Sequence, residues 1–200
     1  MRMPMPEQSY SVRHVKTAYS GFMTLDLYEA TIEHDGRTTE MVREVHDHGH
    51  GACVLPFDPV RRTCLLVRQL RLPVHVVEGN GLILEAAAGL IDPEDESPAA
   101  AAQREAAEEL RYMVRNVQSV GTVYTIPGLV TELMYCFTAE YSESDRITEG
   151  FEADPDEVIE VEEWKLDDLW KAWKDGALRD AKAVMCLMGL RIDRPDLFTV

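Results

Sequence analysis

The segment from Ser97 to Tyr112 constrains this chain more than any other. Ser97 is a favoured helix N-cap, and Pro98 at the first helical position gives up no N–H that the helix needs. Ala99 to Leu110 are nearly all strong helix formers. Ala99, Ala102, Ala106, Leu110 and Met113 fall on one stripe that faces a core. Glu105, Glu108 and Glu109 share an adjoining stripe, within roughly 100° of one another. Like charges at this spacing cost a few tenths of a kcal/mol each, so grouping them brings no structural gain. A solvated acidic face, with Arg104 pairing Glu108 one turn on, is the ordinary reading of such a stripe. A divalent cation reverses the sign, because Mg²⁺ prefers hard carboxylate oxygens and bridges them to phosphates.

The rest of the composition narrows the partners. The chain has 200 residues, enough for one well-packed domain with a small appendage, and a formal net charge of -16. So acidic a surface, without a run of Lys or Arg, argues against nucleic acid and anionic membranes as partners. Phosphate substrates stay open to it if cations lie between carboxylate and phosphate. Cys53, Cys64, Cys136 and Cys186 are scattered without metal-type spacing and read as reduced core thiols. The N-terminus lacks an apolar leader, no segment is long enough to span a membrane, and the expected location is the cytoplasm.

Phe22 to Ile32 and Thr38 to Val45 read as paired strands around a His34–Arg37 turn, in which Asp35-Gly36 tolerates positive φ. Further strands are expected at Ala52 to Phe57, Cys64 to Gln69, Leu82 to Leu84, Thr122 to Thr125 and Leu133 to Thr138. Two more helices are expected at Leu166 to Trp173 and Ala181 to Leu190. The elements mix without regular βαβ alternation, so the expected class is α+β, a mixed-sheet α/β/α sandwich.

Upstream of the helix, Gly89 opens an acidic loop that runs through Glu96. Arg104-Glu105-Ala106-Ala107-Glu108-Glu109 follows at a spacing set from Gly89 and Glu96. This constellation resembles the signature box of the Nudix hydrolases, an opening Gly and Glu followed by Arg-Glu-apolar-x-Glu-Glu. Two departures stand out. The loop is one residue longer than the pattern, so Asp95 and Glu94 compete with Glu96 for its glutamate position. Arg111 stands where the pattern ends its helix on Gly, a substitution that costs on the order of 1 kcal/mol in a left-handed cap.

The resemblance runs from about Tyr19 to Leu190 and is closest to the ADP-ribose pyrophosphatase and GDP-mannose pyrophosphatase branch. The segment Gly51 to Arg71 leans to the former, and Asp156 to Val161 with Leu178 to Lys182 to the latter. It implies a Nudix domain at 50–200 preceded by a small dimer-forming β subdomain at 1–49, exchanged across a homodimer. It further implies a cytoplasmic enzyme that cleaves the diphosphate of a nucleotide sugar, GDP-mannose before ADP-ribose. By the same resemblance the Ala88 carbonyl, Glu105 and Glu109 bind Mg²⁺, or Mn²⁺ as a substitute, with Glu108 supporting and Arg104 orienting its carboxylate neighbours. The long acidic stretch Tyr141 to Asp156 reads as a mobile or lid loop. The general base falls at Glu157, with Glu149 and Glu152 as competitors. Candidate substrate-binding residues are Arg43, Arg68, Arg71, Gly128, Glu132 and Lys182, the arginines because a guanidinium suits bidentate oxyanion contacts. The alternative of another class is a Nudix-fold module that binds nucleotide without cleaving it; such a module is expected to have lost metal carboxylates, and all three remain here.

His46, His48 and His50 alternate as zinc ligands on a strand would, but no further ligand lies near in sequence, and Gly49 and Gly51 suggest a turn. Trp164, Trp170 and Trp173 read as helix-packing residues.

Overall fold

The computed structural model describes residues 8–148 and 158–199. The chain divides into two compact units: the described residues up to His50 with Tyr124–Leu133, and Gly51–Val123 with the described residues from Met134 onward.

In the first unit, β1 (Gln8–Ser20), β2 (Thr24–His34) and β3 (Arg37–Asp47) form an antiparallel sheet in the order β1-β2-β3. The β2–β3 hairpin closes on Asp35 and Gly36, both at positive φ (49° and 70°), as the Asp-Gly pair requires. The sequence left β1 unassigned, since its polar residues, from Ser9 through Lys16 to Ser20, dilute the alternation that marks a strand. The loop around Leu129 lies along β3 through His46 N–H to the Leu129 carbonyl (2.9 Å) and Thr131 N–H to the His46 carbonyl (2.9 Å).

The second unit is built on a seven-stranded mixed sheet. Its path is β10 (Ile159–Lys165), β5 (Thr63–Leu70), β4 (Gly51–Asp58), β9 (Leu133–Glu140) and β8 (Arg115–Tyr124). Two short strands complete it: β6 (Leu82–Glu85) beside β5, and β7 (Ala87–Leu90) beside β4. Strands β4 and β9 are parallel, and β10–β5, β5–β4, β4–β7 and β5–β6 pair antiparallel. All of β4 is buried, so its alternate side chains serve two cores. Ala52 and Val54 pack with α2 (Pro98–Glu105) on one face. Cys53, Leu55 and Phe57 pack with α3 (Leu166–Lys174) and α4 (Ala181–Asp193) on the other. The layers are helix, sheet, helix, and the fold is a mixed α+β sandwich. Trp170 and Trp173 pack edge to face 4.7 Å apart against the second core, as helix-packing residues do. The short helix α1 (Leu72–Glu78) buries no residue, which is why no amphipathic pattern announced it.

Candidate metal centre

Ser97 caps α2 as its sequence implies, its hydroxyl accepting the Ala100 N–H at 3.1 Å. The helix does not remain α to its end. From Ala106 to Leu110 it widens into one π-type turn and leaves through Arg111 at φ 63°, ψ 36°. Such bulges concentrate at functional sites, and this one carries Glu108 and Glu109. Arg111 takes the left-handed conformation that glycine holds without strain. Arg111→Gly is therefore expected to raise stability by about 0.5–1 kcal/mol, measured by urea unfolding; no change would mean the side chain's own interactions offset the strain.

Arg104 gathers the site. Its Nη1 donates to Glu105 Oε1 (2.7 Å) and Glu108 Oε2 (2.9 Å). Its Nη2 donates to the Leu90 carbonyl (2.9 Å) and Asp95 Oδ2 (3.0 Å), and Nε reaches Asp95 Oδ1 at 3.3 Å. Hydrogen bonding to Asp95 first, and the charges of Glu105 and Glu108 after it, hold the guanidinium protonated. The same bond holds the Asp95 carboxyl below its ordinary range. Of the three acidic residues competing at the loop, Asp95 is the one that reaches Arg104, while Glu96 is exposed. The extra loop residue accounts for that one-position slip.

Glu109 is bound to strand β7: its Oε2 accepts the Ala88 N–H at 3.0 Å. In an antiparallel ladder the N–H and C=O of one residue project to the same side. Ala88 spends its N–H on Glu109, so its carbonyl projects to the side of the strand on which Glu109 lies. Gly89 leaves open the space that the Glu105 carboxylate occupies. A Cβ at this position would overlap Oε1 and Cδ of Glu105 and lie 2.8 Å from its Oε2. Glu105 and Glu109 are 7 % and 9 % exposed, whereas Glu108 is the more open member. The donors available are hard oxygens, two nearly buried carboxylates with a carbonyl beside them, and that set fits a divalent cation of the Mg²⁺ class. Gly89→Ala is expected to push the Glu105 carboxylate aside and lower metal-dependent kcat/KM by at least about 10²-fold. Steady-state rates measured beside circular dichroism check this, and wild-type turnover would contradict it.

The other candidates fall into separate groups. Arg43 and Gly128 line one cavity of about 520 Å³ in the first unit, with Tyr124 and Thr131. Glu132 accepts from Thr125 Oγ1 at 2.8 Å in the same loop. Arg68 is ion-paired with Glu162 of β10. Arg71 and Lys182 meet on opposite oxygens of the buried Glu85, at 2.6 and 3.1 Å, and Lys182 also donates to Asp180 at 2.8 Å. Burial opposes the Lys182 charge, but Asp180 and Glu85 outweigh it and raise the pKa. Asp180 in turn accepts the Ala86 N–H at 3.2 Å and caps α4 through the Ala183 N–H at 3.0 Å. Reading the sequence missed Glu85 and Asp180 as parts of this group. The Asp ahead of a helix-forming run was the available signal for the second; an acidic residue ending an apolar strand was a weak one for the first. Glu157, Glu149 and Glu152 lie outside the described residues.

His46, His48 and His50 form no metal-ligand cluster with one another or with other side chains among the described residues. The His50 ring nitrogen instead accepts the Leu133 N–H at 3.2 Å. All four cysteines are buried and free.

A layered sheet with a carboxylate-bearing turn after an acidic loop suits a metal-assisted hydrolase of phosphate anhydrides. Residues 47–185 match the family model of the NUDIX domain, and the chain belongs to the Nudix hydrolase family. Among its relatives is a GDP-mannose pyrophosphatase of Yersinia pestis (strain Pestoides F), 41 % identical over 79 % of each chain. Another, from Cronobacter sakazakii, is 39 % identical over 79 % of this chain and 82 % of its own. A crystal structure of an ADP compounds hydrolase superposes over the whole of both chains with a TM-score of 0.72; at 18 % identity it shows the shared fold.

Proposed function

We propose that this chain hydrolyses GDP-mannose to GMP and mannose 1-phosphate in the cytoplasm, with Mg²⁺ as its resident metal and Mn²⁺ as a substitute. The observation that carries this reading is an intact carboxylate turn in a chain 41 % identical to a GDP-mannose pyrophosphatase. A module that only binds nucleotide has no use for Glu105, Glu108 and Glu109 held together at an energetic cost. The buried free thiols fit a reducing compartment, and no helix among the described residues is long and apolar enough to cross a membrane.

The reaction joins a water oxygen to one phosphorus and breaks the bridging P–O bond, whose electron pair leaves with the departing phosphate. The metal, when bound, neutralises the diphosphate and lowers the pKa of the attacking water. Glu105, Glu109 and the Ala88 carbonyl would hold it, with Glu108 beside them. Arg104 fixes two of these carboxylates, and the Ala88 N–H fixes the third, so the donors are oriented before substrate arrives. The water's proton passes to an acidic side chain, which we assign to Glu157, with Glu149 and Glu152 as its rivals. Arg43, Arg68, Arg71, Gly128, Glu132 and Lys182 are the proposed substrate-binding positions. Arg71 and Lys182, being engaged with Glu85, would act by shaping the wall of the site as much as by touching phosphate.

The reading includes a homodimer. Tyr10, Val12, Tyr19 and Val42 leave large apolar surfaces exposed on the three-stranded sheet, and a second copy would cover them.

Incubating the protein and Mg²⁺ with GDP-mannose, ADP-ribose, GDP-glucose and a nucleoside triphosphate, with products resolved by chromatography, tests the substrate. The highest kcat/KM is expected on GDP-mannose. Preference for ADP-ribose would replace the substrate, and no turnover on any of the four would remove the proposal. Loss of kcat in Glu152→Gln but not in Glu157→Gln would move the base.

A further inference from the structure

Three of the four cysteines, distant in sequence, converge. Cys53 of β4 and Cys136 of β9 are register partners on adjacent parallel strands, and Cys186 of α4 packs over them. Their sulfur atoms all lie within 4.8 Å of one another, with Cys53 Sγ and Cys186 Sγ 3.8 Å apart. None is more than 1 % exposed. We infer that Cys53, Cys136 and Cys186 form a second metal site, which takes one soft monovalent ion of the Cu(I) class.

The geometry fits this ligand. Three sulfurs around one ion at bonds of about 2.3 Å sit roughly 4.0 Å apart, so side-chain adjustments below an ångström close the site. The donors are all sulfur, and among the described residues no carboxylate or imidazole joins them within the same distance. Zinc takes four ligands and Mg²⁺ keeps water and oxygen, whereas soft thiolates select Cu(I). The dry surroundings exclude the waters a hard ion would keep.

Charge supports the assignment. Hydrogen bonds from Cys186 first, then Cys53, with the Lys182 ammonium adding to them, hold the Cys136 thiol well below its ordinary range. The Cys53 and Cys186 thiols are raised, each first by its bond to Cys136. Binding the ion releases the thiol protons and leaves its oxidation state unchanged, and Lys182 offsets part of the resulting negative charge. Core packing alone asks for no such convergence, as Cys64 shows: equally buried, it sits alone with its Sγ 3.7 Å from the Trp164 carbonyl. The trio lies one strand away from the carboxylate centre, Cys53 being the register partner of Ala88 on the neighbouring strand.

Loading the full-length, reduced protein anaerobically with Cu(I), desalting it and measuring retained copper tests the site without reference to catalysis. One copper per chain is expected, and X-ray absorption should show three sulfur neighbours at about 2.3 Å. Cys53→Ala and Cys186→Ala should each abolish retention, and Cys64→Ala should keep it. Nitrogen or oxygen ligands in the wild-type spectrum, retention unchanged in both trio variants, or no retained copper would each overturn the site. The spectrum of the wild-type protein decides the matter even if a trio variant fails to fold.

Discussion

Glu109→Gln is expected to lower Mg²⁺-dependent kcat/KM by on the order of 10³-fold while the fold persists. The exchange removes a charge and almost no volume. A glutamine carbonyl can still accept the Ala88 N–H that Glu109 Oε2 now receives at 3.0 Å, so strand β7 keeps its tether to the π-type turn. What is lost is one anionic donor of a cation site whose other donors stay in place. The loss should fall on kcat and on the metal concentration needed for half-maximal rate, with little change in Tm. Steady-state kinetics over a Mg²⁺ titration, beside a thermal melt, separate these effects. A variant with wild-type turnover would remove Glu109 from the metal site.

Lys182→Met is expected to cost about 3 kcal/mol of stability, on the order of 10 °C in Tm. Lys182 stands between Glu85 and Asp180, both nearly buried, and Arg71 balances the second negative charge. Removing the ammonium leaves two buried carboxylates with one cation between them. The pH dependence has a definite sign. The folded-state pKa of Lys182 is raised, so its contribution is fully present below the unfolded value of about 10.4 and is lost as pH rises through the folded one. The gap in Tm between wild type and Lys182→Met should hold steady from neutral pH into the mildly alkaline range and close only at higher pH. Melts recorded across that range check it. A gap that closes near neutrality would mean that Lys182 is not the charge that matters.

The acidic turn was legible because its chemistry is local: Ser97, Pro98, Arg104 and the three glutamates lie within thirteen residues, and helical spacing alone puts the carboxylates together. The β2–β3 hairpin was legible for the same reason, through Asp35 and Gly36. What escaped was set by tertiary contacts. Which loop acid meets Arg104 depends on where the loop folds back, and Asp95 reaches it in place of Glu96. The π-type turn cannot be read from residues that are all ordinary helix formers. Glu85, Lys182 and Asp180 meet only once α4 docks against the sheet, and the cysteine trio comes from two strands and a helix across 133 residues. Strand β10 hid because it buries no residue fully: Glu160, Val161 and Glu163 are exposed, and Ile159, Glu162 and Trp164 are only partly covered at the edge of the sheet.

Crystals soaked with Mn²⁺ and a diphosphate ligand, measured for anomalous scattering, test most directly whether the clustered glutamates exist to hold a cation. A peak between the Ala88 carbonyl and the carboxylates of Glu105 and Glu109 is the expected result. Ligand bound with no peak at that turn, or a peak seated elsewhere in the chain, would contradict it.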